Sequence, residues 1–159
     1  MRHKDIYKQP GYLIRRLHQF STATFAAQIG DCDLTQIQLS ILLVVADFPG
    51  IDATRISALI GTDRTTIGQA LQLLEDKRLL RRERGAHDKR TKSLVITTAG
   101  ETLARGVSQF VPGIGDLILK GLTRQERQVF IRLLRKLVAD HEGSDAIGVD
   151  DNAGAKGNN

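Results

Sequence analysis

Apolar residues recur at three- and four-residue steps along most of the chain, and this spacing predicts amphipathic helices. In the first predicted helix Leu13, Leu17 and Phe20 follow this rhythm, and in the second Leu39, Leu42, Leu43 and Ala46 form the expected buried face. Four further segments show the same spacing. In the fifth predicted helix of the chain it is interrupted near Pro112-Gly113. The predicted helices are 12–28, 35–46, 52–60, 62–77, 98–120 and 123–141.

Residues with known preferences for helix ends mark several of these boundaries. Thr35 with Gln38, and Thr123 with Glu126, have the spacing of a capping box, in which side chain and backbone cap each other. Thr62 or Asp63 can cap the fourth helix, and Gly61 permits a tight turn just before it. Two short helices joined through a glycine turn predict a helix-turn-helix.

Two short segments break the helical rhythm and predict a β-hairpin. Residues 79–84 and 92–97 are candidate strands on either side of the turn at Gly85-Ala86-His87-Asp88. The resulting order is α-α-α-α-β-β-α-α. We therefore predict a mainly α protein with a small β-hairpin wing, a winged helix-turn-helix with terminal dimerisation helices. The predicted divisions are a dimerisation helix (1–34), a DNA-binding domain (35–97), further dimerisation helices (98–142) and a disordered tail (143–159).

Composition narrows the class of protein. The 159 residues suffice for one domain, and with 41% apolar but only 4% aromatic residues the core must be built mainly from Leu, Ile, Val and Ala. A single cysteine excludes an internal disulfide framework. The first residues lack the apolar region of a signal peptide, and no apolar run approaches the roughly 20 residues that span a bilayer. A cytoplasmic protein without membrane attachment is expected.

The basic charge is concentrated in one place. The chain has a net charge of +5 and a pI near 9.7, which favours polyanionic partners such as nucleic acid. Residues 77–92 contain eight basic and two acidic side chains, a local excess of +6 that exceeds that of the whole chain. A patch of this kind beside a helix-turn-helix predicts contact with DNA phosphates. The alternative is a hairpin whose charges are merely solvated.

The terminal helices carry more apolar surface than a small winged-helix core can cover. Packing against a second copy of the chain would bury that surface, so we expect a homodimer.

Two motifs resemble the MarR family of transcriptional regulators. Asp88-Lys89-Arg90, followed by Leu94, Ile96-Thr97 and Gly100, is similar to the family's D-x-R…L-T-x-x-G signature, with Ile96 in place of leucine. Asp63-Arg64-Thr65-Thr66 is similar to the family's D-R-[ST]-T start of the recognition helix. The resemblance covers roughly residues 12–140. It implies homodimers whose terminal helices intertwine and whose two winged lobes straddle a pseudo-palindromic operator in double-stranded DNA.

The recognition helix and the wing supply the candidate DNA contacts. Gln69 can pair with adenine, and Thr65 and Thr66 can contact a thymine methyl group or a phosphate. Arg64 is placed for phosphate or guanine. Gly68 would allow close approach of the backbone to DNA, or is simply tolerated. The alternative is that these are ordinary exposed polar positions.

On the wing, Arg90 is expected to enter the minor groove, where narrow A·T-rich DNA concentrates negative potential. The resemblance implies that Asp88 holds the guanidinium of Arg90 in a bidentate pair. Basic side chains around it would contact phosphates: Arg82, Arg84, Lys89 and Lys92. The alternative is a turn-stabilising aspartate beside a solvated arginine.

The first helix supplies a candidate effector site. Tyr12, Arg15, Arg16 and His18 place unusual polarity on a helix expected at the dimer junction. The segment PGYLIRRLHQ resembles the branch of the family that controls aromatic-compound catabolism. This resemblance implies a small aromatic acid or its CoA thioester as effector. Arg16 or Arg15 can pair with a carboxylate, and His18 can hydrogen-bond a ring substituent. Structural ion pairs at the interface are the alternative.

Other functions have weaker support. Cys32 would be the sensor of a redox-responsive regulator, but Asp31 and Asp33 flank it, and acidic neighbours disfavour a reactive thiolate. A weakly specific architectural DNA-binding protein and a winged helix that binds proteins are further alternatives. No enzymatic motif is present, no histidine spacing suits a metal site, and no cofactor is expected. The sequence thus predicts a ligand-responsive, sequence-specific transcriptional regulator, a repressor rather than an enzyme.

Overall fold

The computed structural model describes residues 3–84 and 92–142, and within them the chain forms a winged helix-turn-helix. Short 3₁₀ helices lie at His3–Lys8 and Gly30–Cys32. The regular elements follow in the order α1 (Pro10–Ile29), α2 (Gln36–Asp47), α3 (Ala53–Ile60), α4 (Arg64–Asp76), β1 (Leu80–Arg84), β2 (Lys92–Ile96), α5 (Thr98–Ser108), α6 (Val111–Ile118) and α7 (Arg124–Glu142). The mainly α fold with a small hairpin is as predicted.

The chain divides into two compact units. The first extends to Gly121, and the second begins at Leu122, with α7 as its described helix. The domain limits at 34, 97 and 142 stay predictions. The disordered tail predicted from Gly143 lies outside the described residues.

Side-chain caps begin most of the helices. The capping box of α2 is complete, with the Thr35 hydroxyl accepting from the backbone N–H of Gln38 and the Gln38 side chain accepting from that of Thr35. The second predicted box, between Thr123 and Glu126, is also present and lowers the pKa of the Glu126 carboxyl. Each cap satisfies backbone donors that the first helical turn leaves without partners. The remaining side-chain caps come from Asp52, Asp63 and Thr97.

The core of the first unit joins α2 and α4 to the hairpin and α5. The most deeply buried side chains are aliphatic, as the composition required. In α4 the buried positions follow the predicted spacing, and the N-terminal half of β1 and the centre of β2 each contribute a leucine. The deeply buried residues of this core are Ile41, Leu42, Val45, Ile56, Ile67, Leu71, Leu74, Leu80, Leu94 and Val107.

The predicted buried face of α2 was wrong at two positions. Leu43 is 40% exposed and Ala46 is also exposed, whereas Ile41 and Val45 are fully buried. The continuous apolar run from Ile41 to Ala46 allows several faces, and α2 buries the one that includes Ile41 and Val45. Leu43 and Ala46 instead line a groove between α2 and α5.

The interrupted fifth helix is two helices. The helical hydrogen-bonding pattern of α5 ends at Ser108, and α6 begins at Val111 with Pro112 in its first turn. Proline is tolerated there because the first turn has no acceptor for its missing N–H. The helix α6 packs against α1, and its Ile114 is buried.

The hairpin is anchored by backbone hydrogen bonds to the segment before α3. β1 and β2 are antiparallel, with Leu80 opposite Ile96 and Arg84 opposite Lys92. On the outer edge of β2, the backbone of Leu94 donates to Ile51 at 3.2 Å and accepts from Gly50 at 2.9 Å. The segment before α3 therefore holds the wing in place next to the helix-turn-helix.

Candidate nucleic-acid interface

A single glycine makes the turn between α3 and α4. Gly61 has a φ of 69°, in the left-handed region that residues with a side chain rarely adopt. Its N–H donates to the carbonyl of Ser57 at 3.0 Å, and the Ser57 hydroxyl donates to the carbonyl of Thr62. This closes α3 and lets α4 begin three residues later, as the sequence predicted for a helix-turn-helix.

The helix α4 divides into a buried face and a polar face. Ile67, Ala70, Leu71 and Leu74 are buried, while Thr65 and Gln69, one turn apart, are exposed. Gln72 continues the exposed row toward the C-terminus and donates to Asp76 at 2.9 Å. Exposed donors and acceptors at the start of a helix are the arrangement with which a recognition helix reads bases.

Asp63, rather than Thr62, caps α4, and it has two contacts with the same residue. Its Oδ1 accepts from the backbone N–H of Thr66 at 2.9 Å, and its Oδ2 accepts from the Thr66 hydroxyl at 2.7 Å. Hydrogen bonds to the charged form stabilise it, so the Thr66 contacts lower the pKa of the Asp63 carboxyl below its usual value. Asp63 is therefore ionised at neutral pH.

A side-chain hydrogen bond joins the first turns of α3 and α4. Arg64 Nη2 donates to the Thr54 hydroxyl at 2.9 Å, and both residues are exposed. One of five guanidinium donors is used, which leaves the others available to an acceptor such as phosphate. The sequence did not indicate this partner, because Thr54 lies ten residues away on another helix.

Gly68 is not required by packing. An added Cβ at this position would meet no atom within 4 Å. The two interpretations of Gly68, close approach to DNA and simple tolerance, remain open.

The positive patch is partly neutralised by acidic residues, two of which lie outside it along the sequence. Arg82 Nε donates to Glu75 at 2.7 Å, and Lys77 pairs with Asp33 at 2.8 Å. Arg81 pairs with Glu83 at 2.8 Å. Surface pairs of this kind contribute little stability. They do reduce the charge that this patch presents to phosphate, which the local charge count did not anticipate.

The structure places only the base of the wing. Arg84 and Lys92 are backbone partners in the last register pair of the described hairpin. Asp88, Lys89 and Arg90 lie outside the described residues. The pairing of Asp88 with Arg90 and the minor-groove contact of Arg90 stay predictions.

The candidate effector residues lie on α1 and contact aromatic rings. The Arg15 guanidinium is 5.4 Å from the centre of the Tyr12 ring, and that of Arg16 is 5.2 Å from the centre of the Phe20 ring. Tyr12 also meets Tyr7 edge to face at 5.2 Å. These distances are those of cation–π and aromatic pairs. His18 is exposed, and its carbonyl accepts from the Thr22 hydroxyl.

Two open cavities flank α5, and other residues line them. The larger, about 580 Å³, is mostly apolar, and the half-buried Cys32 is among the residues that line it. The smaller, about 420 Å³, lies between α2, β2 and α5 and includes Glu101 and Arg105. Both volumes are in the range of small-molecule sites. The larger cavity is lined by Cys32, Thr98, Ala99, Thr102, Leu103, Gly106, Val107 and Phe110.

Metal ligands are not clustered in the part of the chain that the structure describes. There, no three residues among histidine, cysteine, aspartate and glutamate are grouped so as to hold a metal ion. Over the same residues, no helix is long and apolar enough to cross a membrane.

Known proteins share this arrangement. The MarR family model matches residues 33–91, from just before α2 to the hairpin. The PcaV transcriptional regulator from Streptomyces coelicolor, in complex with its natural ligand, superposes with a TM-score of 0.79 over 90% of this chain and 100% of its own, at 28% identity. The chain thus matches the MarR family in sequence over residues 33–91 and shares the fold of a known regulator. The relatives that it matches over most of its length are transcriptional regulators.

Two further relatives cover most of the length of this chain. The HTH-type transcriptional repressor NicR of Pseudomonas putida is 29% identical over 141 residues, which are 88% of this chain and 89% of NicR. BpsR of Bordetella bronchiseptica, whose DNA binding is regulated by 6-hydroxynicotinic acid, has a TM-score of 0.73 over 80% of this chain and 97% of its own, at 26% identity. All three relatives are regulators rather than enzymes.

Proposed function

We propose that this regulator is a homodimeric repressor that binds a pseudo-palindromic operator and is released by a small aromatic acid or its CoA thioester. The observation that carries the DNA-binding part is the polar face of α4. Its first turn is capped by Asp63 and presents Thr65 and Gln69, and the hairpin stands beside it. The recognition helix would read bases while Arg84, Lys89, Arg90 and Lys92 contact the backbone or the minor groove.

Unburied apolar surface supports the homodimer. Leu13 on α1 is 52% exposed, and Ile14 and Phe20 on the same helix are exposed as well. The helix α7 presents a second apolar face, with Leu133 and Leu137 half exposed. A two-fold dimer would bury these faces and place two recognition helices about 34 Å apart, the distance between successive major grooves on one side of the duplex.

The proposed effector rests on α1 and on the relatives. Arg15 and Arg16 provide guanidinium groups beside aromatic rings, and guanidinium pairs well with carboxylate. BpsR responds to 6-hydroxynicotinic acid, an aromatic acid. An effector that binds the DNA-incompetent conformation more tightly would shift the population away from the operator.

The wing provides the first test of DNA binding. In anisotropy titrations with a duplex from the DNA upstream of its own gene, Arg90→Ala is expected to weaken binding about tenfold or more. The reason is that each protomer loses a minor-groove cation, and one good contact is worth roughly 1–3 kcal/mol.

Arg105→Ala is the matched control, because it removes the same charge from an exposed position on α5. It should leave the operator affinity within about twofold of the original. Equal affinities for the Arg90→Ala variant and the unmodified protein would refute the role of the wing and favour a winged helix that binds other partners.

The effector is tested by thermal shift. Aromatic acids, beginning with 6-hydroxynicotinic acid, and aromatic CoA thioesters are added to the full chain. A true effector should raise the unfolding temperature, because it binds only the folded state. It should also release the protein from the duplex. Arg16→Ala is expected to abolish both effects, since it removes the proposed carboxylate partner.

Arg55→Ala serves as the control for the effector, because it removes an arginine from α3 rather than α1. It should retain the thermal shift. If Arg16→Ala responds to the effector like the unmodified protein, Arg16 is not the partner of the effector's carboxylate. Release by peroxide that disappears in Cys32→Ser would instead favour the redox alternative.

A further inference from the structure

Thr66 has its only hydroxyl proton engaged within the protein. The hydroxyl donates to Asp63 Oδ2 at 2.7 Å, the length of a charge-assisted O–H···O⁻ bond. The same carboxylate is fixed from a second direction, because its Oδ1 accepts from the backbone N–H of Thr66 at 2.9 Å. The carboxylate cannot swing away without also removing the cap of α4.

The direction of this bond is fixed by chemistry. An ionised carboxylate only accepts, so the shared proton belongs to Thr66. The pKa of the Asp63 carboxyl is lowered by its side-chain and backbone hydrogen bonds with Thr66, which keeps it ionised at neutral pH. What remains for an outside partner is a hydroxyl oxygen with free lone pairs and a methyl group.

We propose that Thr66 reads the operator as a hydrogen-bond acceptor, opposite the exocyclic amino group of adenine or cytosine in the major groove. This assignment rests on the proposed DNA-binding function and sharpens it. In the major groove only adenine N6 and cytosine N4 offer donors, whereas guanine N7 and O6, thymine O4 and every phosphate oxygen are acceptors. An acceptor placed opposite Thr66 would meet lone pairs, so phosphate and guanine are excluded as its partners.

The neighbouring Thr65 differs from Thr66 in what its hydroxyl can do. It is exposed, one residue earlier on the same turn, and among the described residues its hydroxyl has no carboxylate acceptor of this kind. That hydroxyl can rotate to donate to a phosphate, a contact that carries no sequence information. Neighbouring threonines of the same motif are thus assigned opposite roles.

The test measures base preference rather than affinity alone. Anisotropy titrations use the full chain and a set of duplexes from the DNA upstream of its gene, each with one base pair replaced. Thr66→Val keeps the shape and the methyl group but loses the acceptor. It should abolish discrimination at one position of each half-site, where the unmodified protein prefers adenine or cytosine to guanine by about tenfold. Thr65→Val should weaken binding to all duplexes alike.

Asp63→Asn is the second, independent variant. Asparagine remains a good N-cap, so α4 is retained. Its amide N–H₂ now donates to Thr66, which frees the hydroxyl proton, and the preference against guanine at that position should shrink to about twofold. Thermal unfolding of each variant confirms that the fold is intact.

Three results would overturn the assignment. They are a guanine preference at the position that Thr66→Val affects, an unchanged base preference in Thr66→Val, and an unchanged preference in Asp63→Asn. Failure of the unmodified protein to bind any of the duplexes is distinguishable from these, since it refutes the proposed DNA-binding function itself and the assignment with it.

Discussion

Gly100→Ala is expected to destabilise the fold strongly, although it adds only one methyl group. A Cβ at this position would lie 2.2 Å from the carbonyl oxygen of Leu79 and 2.9 Å from Cγ1 of Ile96. The first of these atoms is backbone and cannot rotate away. Overpacking usually costs 1–3 kcal/mol, and we expect a loss of about 3 kcal/mol in the free energy of unfolding, measured by urea denaturation.

The surrounding hydrogen bonds explain why the chain cannot relax. Leu79 O, the atom that the new methyl group would strike, accepts from the backbone N–H of Thr97 at 3.0 Å. The Thr97 hydroxyl, which has a single proton, lies 2.9 Å from the carbonyl oxygen of Arg78 and 3.1 Å from that of Leu79. The Thr97 hydroxyl in turn accepts from the N–H of Gly100 at 3.0 Å, which caps α5. Moving any one of these groups breaks the junction between β2, α5 and the start of β1.

Gly106→Ala is the matched control, because it makes the same change later in α5. Its Cβ would meet no atom within 4 Å, so the variant should gain up to about 1 kcal/mol from the better helix propensity of alanine. Equal unfolding midpoints for the Gly100→Ala variant and the unmodified protein would contradict the close packing at Leu79. The clash also gives a physical reason for the glycine that ends the Leu94…Thr97…Gly100 motif.

Features that depend on neighbours in sequence were predictable. The boxes at Thr35 and Thr123 and the glycine turn at Gly61 involve residues at most five apart. Such contacts form within one turn of backbone, so residue type and spacing are sufficient to identify them. The buried face of α4 was likewise predictable, because Ile67, Leu71 and Leu74 recur at three- and four-residue steps. Leu73 falls outside this spacing and is exposed.

Features that depend on distant parts of the chain were not predictable. Asp33 pairs with Lys77 across 44 residues, and Glu75 reaches Arg82 on the next element, so the charge count of residues 77–92 overestimated the free positive charge. The face of α2 was ambiguous because its apolar run has no polar side. The contact between Arg64 and Thr54 likewise requires the geometry of the turn.

The second large effect is expected from the apolar face of α7. Leu133 is 50% and Leu137 is 53% exposed, and Val129 and Leu134 lie at helical spacing from them. Burying a leucine side chain is worth about 1.5–3 kcal/mol, and a two-fold interface would use each of these residues twice. An aspartate there would instead have to be desolvated without a partner.

Leu133→Asp is therefore expected to raise the dissociation constant of the dimer by at least about a hundredfold, which corresponds to roughly 2.7 kcal/mol. Analytical ultracentrifugation measures this directly. Binding to the operator should fall at least as far, because a single lobe engages one half-site and loses the advantage of linked binding.

Gln128→Asp introduces the same charge on the other side of α7, away from the apolar residues. It should remain dimeric and bind the operator like the unmodified protein. Sedimentation of the Leu133→Asp variant as an intact dimer would show that α7 does not form the interface. If that variant is monomeric yet binds the operator with full affinity, the dimer is not what places two recognition helices on DNA. The unburied apolar face of α7 is thus the surface through which two chains would form the two-fold dimer that a pseudo-palindromic operator requires.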